Sequence, residues 1–302
     1  MSSSPKISFI ILAYKMQREL PRTLQSLNSS FQQNVNIEDY EIILIENESD
    51  QLLDKQHLKS LYPNLHYYLN TTNPASPAYA MNIGLQHAKG DTVVFCIDGA
   101  RLLSPGIVRG ILNAAHLNEQ FVVATHAYHL GDEPQNQSVP SGRYSKPIED
   151  KLLEQISWPE AGYRLFEISV FALSSAAGWF GAIAESNCIA LPRKSAIEMG
   201  GYDEQFVTLG GGYTNLDFYA RAQKLERHQL VYLLGEGTFH QVHGGVATNR
   251  DDTPHEAYRQ EYQALRGEPF KTTPLPEDVK YLGSINTSAR KFLIESIINT
   301  NV

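Results

Sequence analysis

The run FCIDGARLLSPG, residues 95–106, places one carboxylate, Asp98, where an apolar stretch ends. A carboxylate there is a hard oxygen donor suited to Mg²⁺ or Mn²⁺, ions that also bind diphosphate oxygens and neutralise charge on a departing group. A second acid two residues on would complete a recognisable cation site, but Ala100 stands there and offers no ligand. Asp98 therefore either ligates a cation with help from elsewhere in the chain or orders its turn without one. His240 and His243 of HQVHGG could give that help, because Gly244 and Gly245 allow the loop to turn both imidazoles into one pocket, as metal donors or as phosphate-positioning groups. His243 is the preferred metal or leaving-group contact, and Arg101 is an additional cationic candidate beside Asp98. Farther along, Glu185, Asp203 and Asp217 are acids of the type that removes a proton from a hydroxyl.

These side chains need elements to hold them. KISFIILAY reads as a buried strand, and ELPRTLQSLNSSF then sets Leu20, Leu24 and Leu27 on one helical face. YEIILIEN is a second strand, followed by a helix over 51–61 and a strand in LHYYLN. SPAYAMNIGLQHAKG is a helix with Ala80, Gly84 and Ala88 on a narrow face that permits close packing, leading into the strand TVVFCI. Pro105 suits the opening of another helix, before the strand FVVATHAY. This alternation predicts an α/β fold with a mostly parallel central sheet flanked by helices. Ligands of open α/β sheets bind beyond the carboxyl ends of strands, so Tyr14, Glu46 and Asp98 are expected at a shared crevice.

Regularity breaks over residues 131–178, where a helix around 147–157 belongs either to a cover over the crevice or to an ordinary surface insertion. The chain then returns to an apolar strand and a short helix from Pro192 that stops at Gly200 and Gly201. LGGGYTNLDFYARAQKLE is a loop entering a helix, HQLVYLL a strand, and GEGTFHQVHGGVATNR has the composition of an active-site loop. Helices are expected over 254–266 and 287–299.

The 302 residues suffice for a substantial core, and 42% hydrophobic with 19% charged residues is an ordinary globular composition. A formal charge of -8 disfavours nucleic acid as a partner. Cys96 and Cys188 are too few for a disulfide scaffold, which leans toward the cytoplasm. MSSSPK lacks the apolar core of a secretory signal, and no later stretch approaches the roughly 20 apolar residues of a membrane span. The expectation is a cytoplasmic protein, with peripheral association at the inner face of a membrane left open. In ARKFLIESIINT, Phe292, Ile294, Ile297 and Ile298 have helical spacing, read as core packing before membrane or partner contact.

In order, these segments resemble the large family-two glycosyltransferases. SFIILAYKMQRELPRTLQSL looks like that family's amino-terminal nucleotide-binding segment, and Glu46 in YEIILIENESD falls at the position of its base-contacting aspartate. NPASPAYAMNIGLQHAKGDTVVFCIDGARLLSPG carries Asn73, Asn82, Gly84, Gly90, Asp91 and Asp98 in the familiar order, and NCIALPRKSAIEMGGYDEQF resembles the acceptor-side segment before the catalytic loop. The resemblance implies a GT-A type nucleotide-diphospho-sugar transferase fold in a single domain. Residues 6–130 would bind nucleotide, 131–250 would shape the acceptor and catalytic pockets, and 251–302 would form a helical extension. It implies inverting transfer of a hexosyl or N-acetylhexosaminyl unit, from a nucleotide-sugar donor with UDP favoured, to a glycan or lipid-linked acceptor in polysaccharide biosynthesis. Association with a biosynthetic complex is also compatible.

Carried onto this chain, the resemblance puts Ala13 and Tyr14 beside the base, Glu46 accepting from it, Asn82 at base or ribose, and Asp98 and Arg101 at the diphosphate. Asp98 and His243 are the expected metal ligands. Two departures matter. Ala100 replaces the second acid of the metal motif, and the usual Glu-Asp pair of the catalytic loop appears as Thr214 and Asn215, while Asp217 and Arg221 are retained. Asp217 is the first expected base, with Asp203 and Glu185 as the others. Trp179, Phe180, Tyr202 and Tyr213 are candidates for an acceptor platform. Two alternatives remain: a catalytically altered nucleotide-sugar or glycan-binding protein, and a metal-independent transferase in which Arg or His does the cation's work.

Overall fold

Apolar segments at the expected spacing assemble, in a computed structural model, into a sheet of ten strands. The structure describes residues 4–72, 74–245 and 254–300. Asn73 and the end of the expected active-site loop lie outside the described residues.

The first half alternates as expected: β1 (Ile7–Ala13), α1 (Glu19–Ser26), β2 (Tyr40–Asn47), α2 (Lys55–Leu61), β3 (Leu65–Asn70), α3 (Ala78–His87) and β4 (Thr92–Cys96). Then follow β5 (Arg101–Leu103), α4 (Ile107–Leu117), β6 (Phe121–Leu130), α5 (Gln135–Ser138), α6 (Lys146–Gln155) and β7 (Ser169–Phe171). The remainder is β8 (Ile189–Pro192), α7 (Arg193–Glu198), α8 (Thr214–Gln223), β9 (Gln229–His240), α9 (His255–Arg266), β10 (Lys280–Gly283) and α10 (Arg290–Thr300).

The main path of the sheet is β10-β9-β6-β8-β4-β1-β2-β3, with β5 on β9 and β7 on β6. β4, β1, β2 and β3 are parallel, as are β6, β9 and β10, while β8 runs antiparallel between the two sets. Every residue of β1, β2 and β4 is buried, as continuous apolar runs require when helices cover both faces. Leu20, Leu24 and Leu27 of the α1 region are fully buried, each worth about 1.5–3 kcal/mol of apolar transfer. Gly84 lets α3 close onto β1, since a Cβ there would collide with the Ile10 side chain.

Three features depart from the sequence-based expectations. First, the GEGTFH stretch is strand: β9 continues to His240, bending near Gly235 (φ 70°), so that its pairing with β6 jumps from Ala124↔Tyr232 to His126↔Gly237. Second, the carboxyl-terminal segment is not helical throughout, because β10 joins the sheet edge beside β9. Third, α10 buries Phe292 but leaves Ile294, Ile297 and Ile298 exposed, contrary to core packing for all four. No helix among the described residues is long and apolar enough to cross a membrane.

Candidate active site

The parallel strands β1, β2 and β4 end at one rim. Ala13 is level with Glu46, Ile11 is level with Cys96, and Asp98 lies two residues beyond. Ala13 is buried, whereas Tyr14 is 45% exposed, with Lys15 over its ring at 5.7 Å from the centroid. An exposed ring at a strand end is available for stacking.

Asp98 meets three basic side chains. Arg101 Nε lies 3.3 Å from Oδ2, His240 Nε2 lies 3.2 Å from Oδ2, and His243 Nε2 lies 3.6 Å from Oδ1. Oδ1 also accepts from the Ala100 N–H at 3.0 Å. The potential ligand atoms of Asp98, His240 and His243 all fall within 4.8 Å of one another. The sheet brings them together: β5 pairs with the bent end of β9 so that Arg101 stands opposite His240. Although burial alone would raise it, the Asp98 carboxyl is held well below the usual range by His243, His240 and Arg101. Burial pushes His240 down to about 4 against the opposing pull of Asp98.

The orientation of the His240 ring follows from its neighbours. The Gln135 side chain donates through Nε2 to Leu130 O (3.2 Å) and His240 O (2.9 Å), which leaves its Oε1 to accept from His240 Nδ1 at 2.6 Å. The Gln135 backbone is itself fixed, its N–H donating to His129 Nδ1 at 2.8 Å. The bond between His240 Nδ1 and Gln135 orients the ring so that Nε2 faces the Asp98 carboxylate at 3.2 Å, where it could serve a cation as a ligand atom. Gln135, fully buried on the short helix α5, carried no sequence signal of this role.

α6 supports the His243 loop. Glu149 Oε2 accepts from the Val242 N–H at 2.8 Å, and its Oε1 accepts from both terminal nitrogens of Arg18 at 3.1 Å. Asp150 pairs with Arg18 and Arg22 at 2.7 Å each. The excursion before β7 is thus tied through α1 to the site.

The other predicted residues fall differently. Glu46 is fully buried and accepts from the Leu53 N–H (3.1 and 3.2 Å) and the Tyr67 hydroxyl (2.6 Å), so its carboxylate holds the turn after β2 and faces no crevice. Asn82 accepts from the Tyr202 N–H (2.9 Å) and donates to Tyr202 O (2.9 Å) and Glu204 (2.7 Å), pinning α3 to the segment after α7. Both oxygens of buried Asp217 are engaged, by Arg221 Nε at 2.7 Å and Arg266 Nε at 2.6 Å, which makes it an ion-pair centre between α8 and α9. Asp203 is held by Arg266 at 2.7 Å and by the Gln205 N–H at 3.0 Å. Glu185 is only partly buried and, among the described residues, has one hydrogen bond, from Asn215 Nδ2 to Oε2 at 2.6 Å. Trp179 and Tyr202 are buried in the core, which removes them from an acceptor platform; Phe180 and Tyr213 remain partly exposed.

The family model of glycosyl transferase family 2 matches residues 8–172. Among solved structures, S. aureus TarS 1–349 in complex with UDP-GlcNAc is similar with 14% identity and a TM-score of 0.56, over 86% of this chain and 65% of that one. S. aureus TarS 1–349 gives 12% identity and a TM-score of 0.55, over 86% and 72%. A longer S. aureus TarS structure gives 11% identity and 0.53 over 86% of this chain, which spans only 42% of that one. Likeness at these identities is likeness of fold. No curated protein sequence matches the chain.

Proposed function

The chain belongs to glycosyl transferase family 2, and from that premise we propose that it moves a sugar from a nucleotide-diphosphate donor to a glycan or lipid-linked acceptor, with inversion at the anomeric carbon. The observation that carries this reading is the convergence of Asp98, His240 and His243 at the strand-end rim beside exposed Tyr14. Structures similar in fold bind UDP-GlcNAc and UDP, which favours a UDP-sugar, with an N-acetylhexosamine ahead of a plain hexose.

One carboxylate and two imidazoles fit a divalent cation that accepts nitrogen, and so favour Mn²⁺ over Mg²⁺, whose shell prefers oxygen. Asp98, His240 and His243 would hold such an ion, which would supply charge neutralisation for the departing nucleoside diphosphate. Tyr14 stacks on the base. Gln135 keeps the His240 ring oriented toward the site, and Glu149 holds the backbone of the His243 loop. Arg101 fixes the Asp98 carboxylate from the side.

One observation favours a second reading. Asn215 stands where the family carries an acid, as in a protein that binds nucleotide sugars without turnover. The test is a mass-resolved turnover screen of common nucleotide sugars against mixed glycan and lipid-linked acceptors, with Mn²⁺, with Mg²⁺ and after chelation. Transfer that needs Mn²⁺ is expected. Donor binding without product supports the second reading, transfer unaffected by chelation rejects the cation, and neither binding nor turnover rejects the transferase.

A further inference from the structure

Inverting transfer needs a base within hydrogen-bond reach of the acceptor hydroxyl, at about 3 Å. The acid usual at the start of the catalytic helix is Asn215 here, whose amide takes no proton, and Asp217 and Asp203 are bound to arginines. Resting on the transferase reading, we propose that Glu185 is the general base and that Asn215 and Tyr202 position it.

Topology puts Glu185 at the right edge. β8 runs antiparallel to β4 with Phe95 opposite Ile189, so the residues before Ile189 continue past the carboxyl end of β4, toward the rim that carries Asp98. The first turn of α8 meets that segment. Asn215 Nδ2 donates to Glu185 Oε2 at 2.6 Å and to Ser186 O at 3.3 Å, while Asn215 Oδ1 accepts from the Tyr202 hydroxyl at 3.0 Å. A reversed amide would set its oxygen against a carboxylate and a carbonyl, so the orientation is determined. Tyr202 cannot drift, being fully buried and stacked on Phe218 with centroids 4.1 Å apart. Glu185 thus has one oxygen fixed by a donor, and its Oε1 has no hydrogen-bond donor among the described residues.

The pairing also explains why an amide suits position 215. A carboxylate there would face Glu185 at the same short distance, and two acids so close share one proton instead of both ionising. Asn215 presents Glu185 with a neutral donor instead of a second acid. In the step, Glu185 Oε1 takes the acceptor hydroxyl proton, and the acceptor oxygen forms its bond to the anomeric carbon. The bond from that carbon to the diphosphate oxygen breaks, and its electron pair leaves with the nucleoside diphosphate.

The experiment compares wild type, Glu185→Gln and Asn215→Asp on the donor and acceptor that the screen identifies. Glu185→Gln is expected to lower kcat by about 100-fold or more, with the donor Kd within threefold and the unfolding midpoint within a few degrees of wild type. Asn215→Asp is expected to move the acid limb of the kcat profile to higher pH, because the paired acids hold a proton longer. Glu185→Gln with kcat within threefold of wild type, or an acid limb unmoved in Asn215→Asp, overturns the assignment. Wild type that neither binds nor turns over any nucleotide sugar overturns instead the transferase reading on which it rests.

Discussion

Glu149 is fully buried, and burial pushes its carboxyl from 4.5 up to about 7 despite the Val242 N–H and the Arg18 guanidinium. Because the folded value lies above the unfolded one, the native state keeps the proton over a range where the unfolded chain has lost it. This contribution to stability is therefore complete below about pH 4.5 and declines as pH rises toward 7. Replacing Glu149 by Gln removes the titration. The unfolding free energy of Glu149→Gln relative to wild type is expected to shift in the variant's favour by about 2 kcal/mol between pH 5 and pH 8, read by urea denaturation at each pH. At this scale residue types made much of the site legible. Asp98 and His243 were recognisable from a strand end and a glycine-flanked histidine, whereas Gln135 and Glu149 act only through distant partners and left no local pattern.

α9 is fastened to the glycine-rich stretch before α8. Arg266 joins it to Asp217 and Asp203, Glu261 accepts from the Val207 and Thr208 N–H groups at 2.8 Å, and the Tyr258 hydroxyl donates to Leu209 O at 3.0 Å. Gly210, Gly211 and Gly212 all have positive φ, so this stretch turns through conformations that other residues resist and gains its definition from α9. Arg266→Ala leaves the buried Asp217 with Arg221 alone. The expected result is a loss of about 2 kcal/mol of stability, below the value for removing a fully buried partner because Arg266 is partly solvated. Thermal unfolding measures it, and faster limited proteolysis near α9 accompanies it. Helices and long strands followed from apolar periodicity, but β5, β7 and β10, of three or four residues, are too short to show a period and exist because a neighbour offers an open edge.

The rim, the bent end of β9 and the α6 support act as one unit, so ligands should be felt by the whole molecule. A ligand that binds only the folded state at 100 times its Kd adds about 2.7 kcal/mol. UDP with Mn²⁺ is therefore expected to raise the unfolding temperature by several degrees, UDP with chelator by less, and His243→Ala to lose the Mn²⁺-dependent part, all by calorimetry. An unchanged midpoint at saturating UDP and Mn²⁺ would count against the rim as the donor site.

The alternation of strands and helices through β4 and the single acid just beyond β4 follow from the amino-acid sequence alone, because apolar runs and helical periodicity are local properties. Which acids are free was decided only in three dimensions. Glu46, Asp203 and Asp217 have the right chemistry but are engaged by Tyr67, Arg266 and Arg221, partners 21, 63 and 4 residues away. His240 reaches Asp98 because β9 bends at Gly235 and pairs with β5, a consequence of sheet edges meeting that no spacing along the chain encodes.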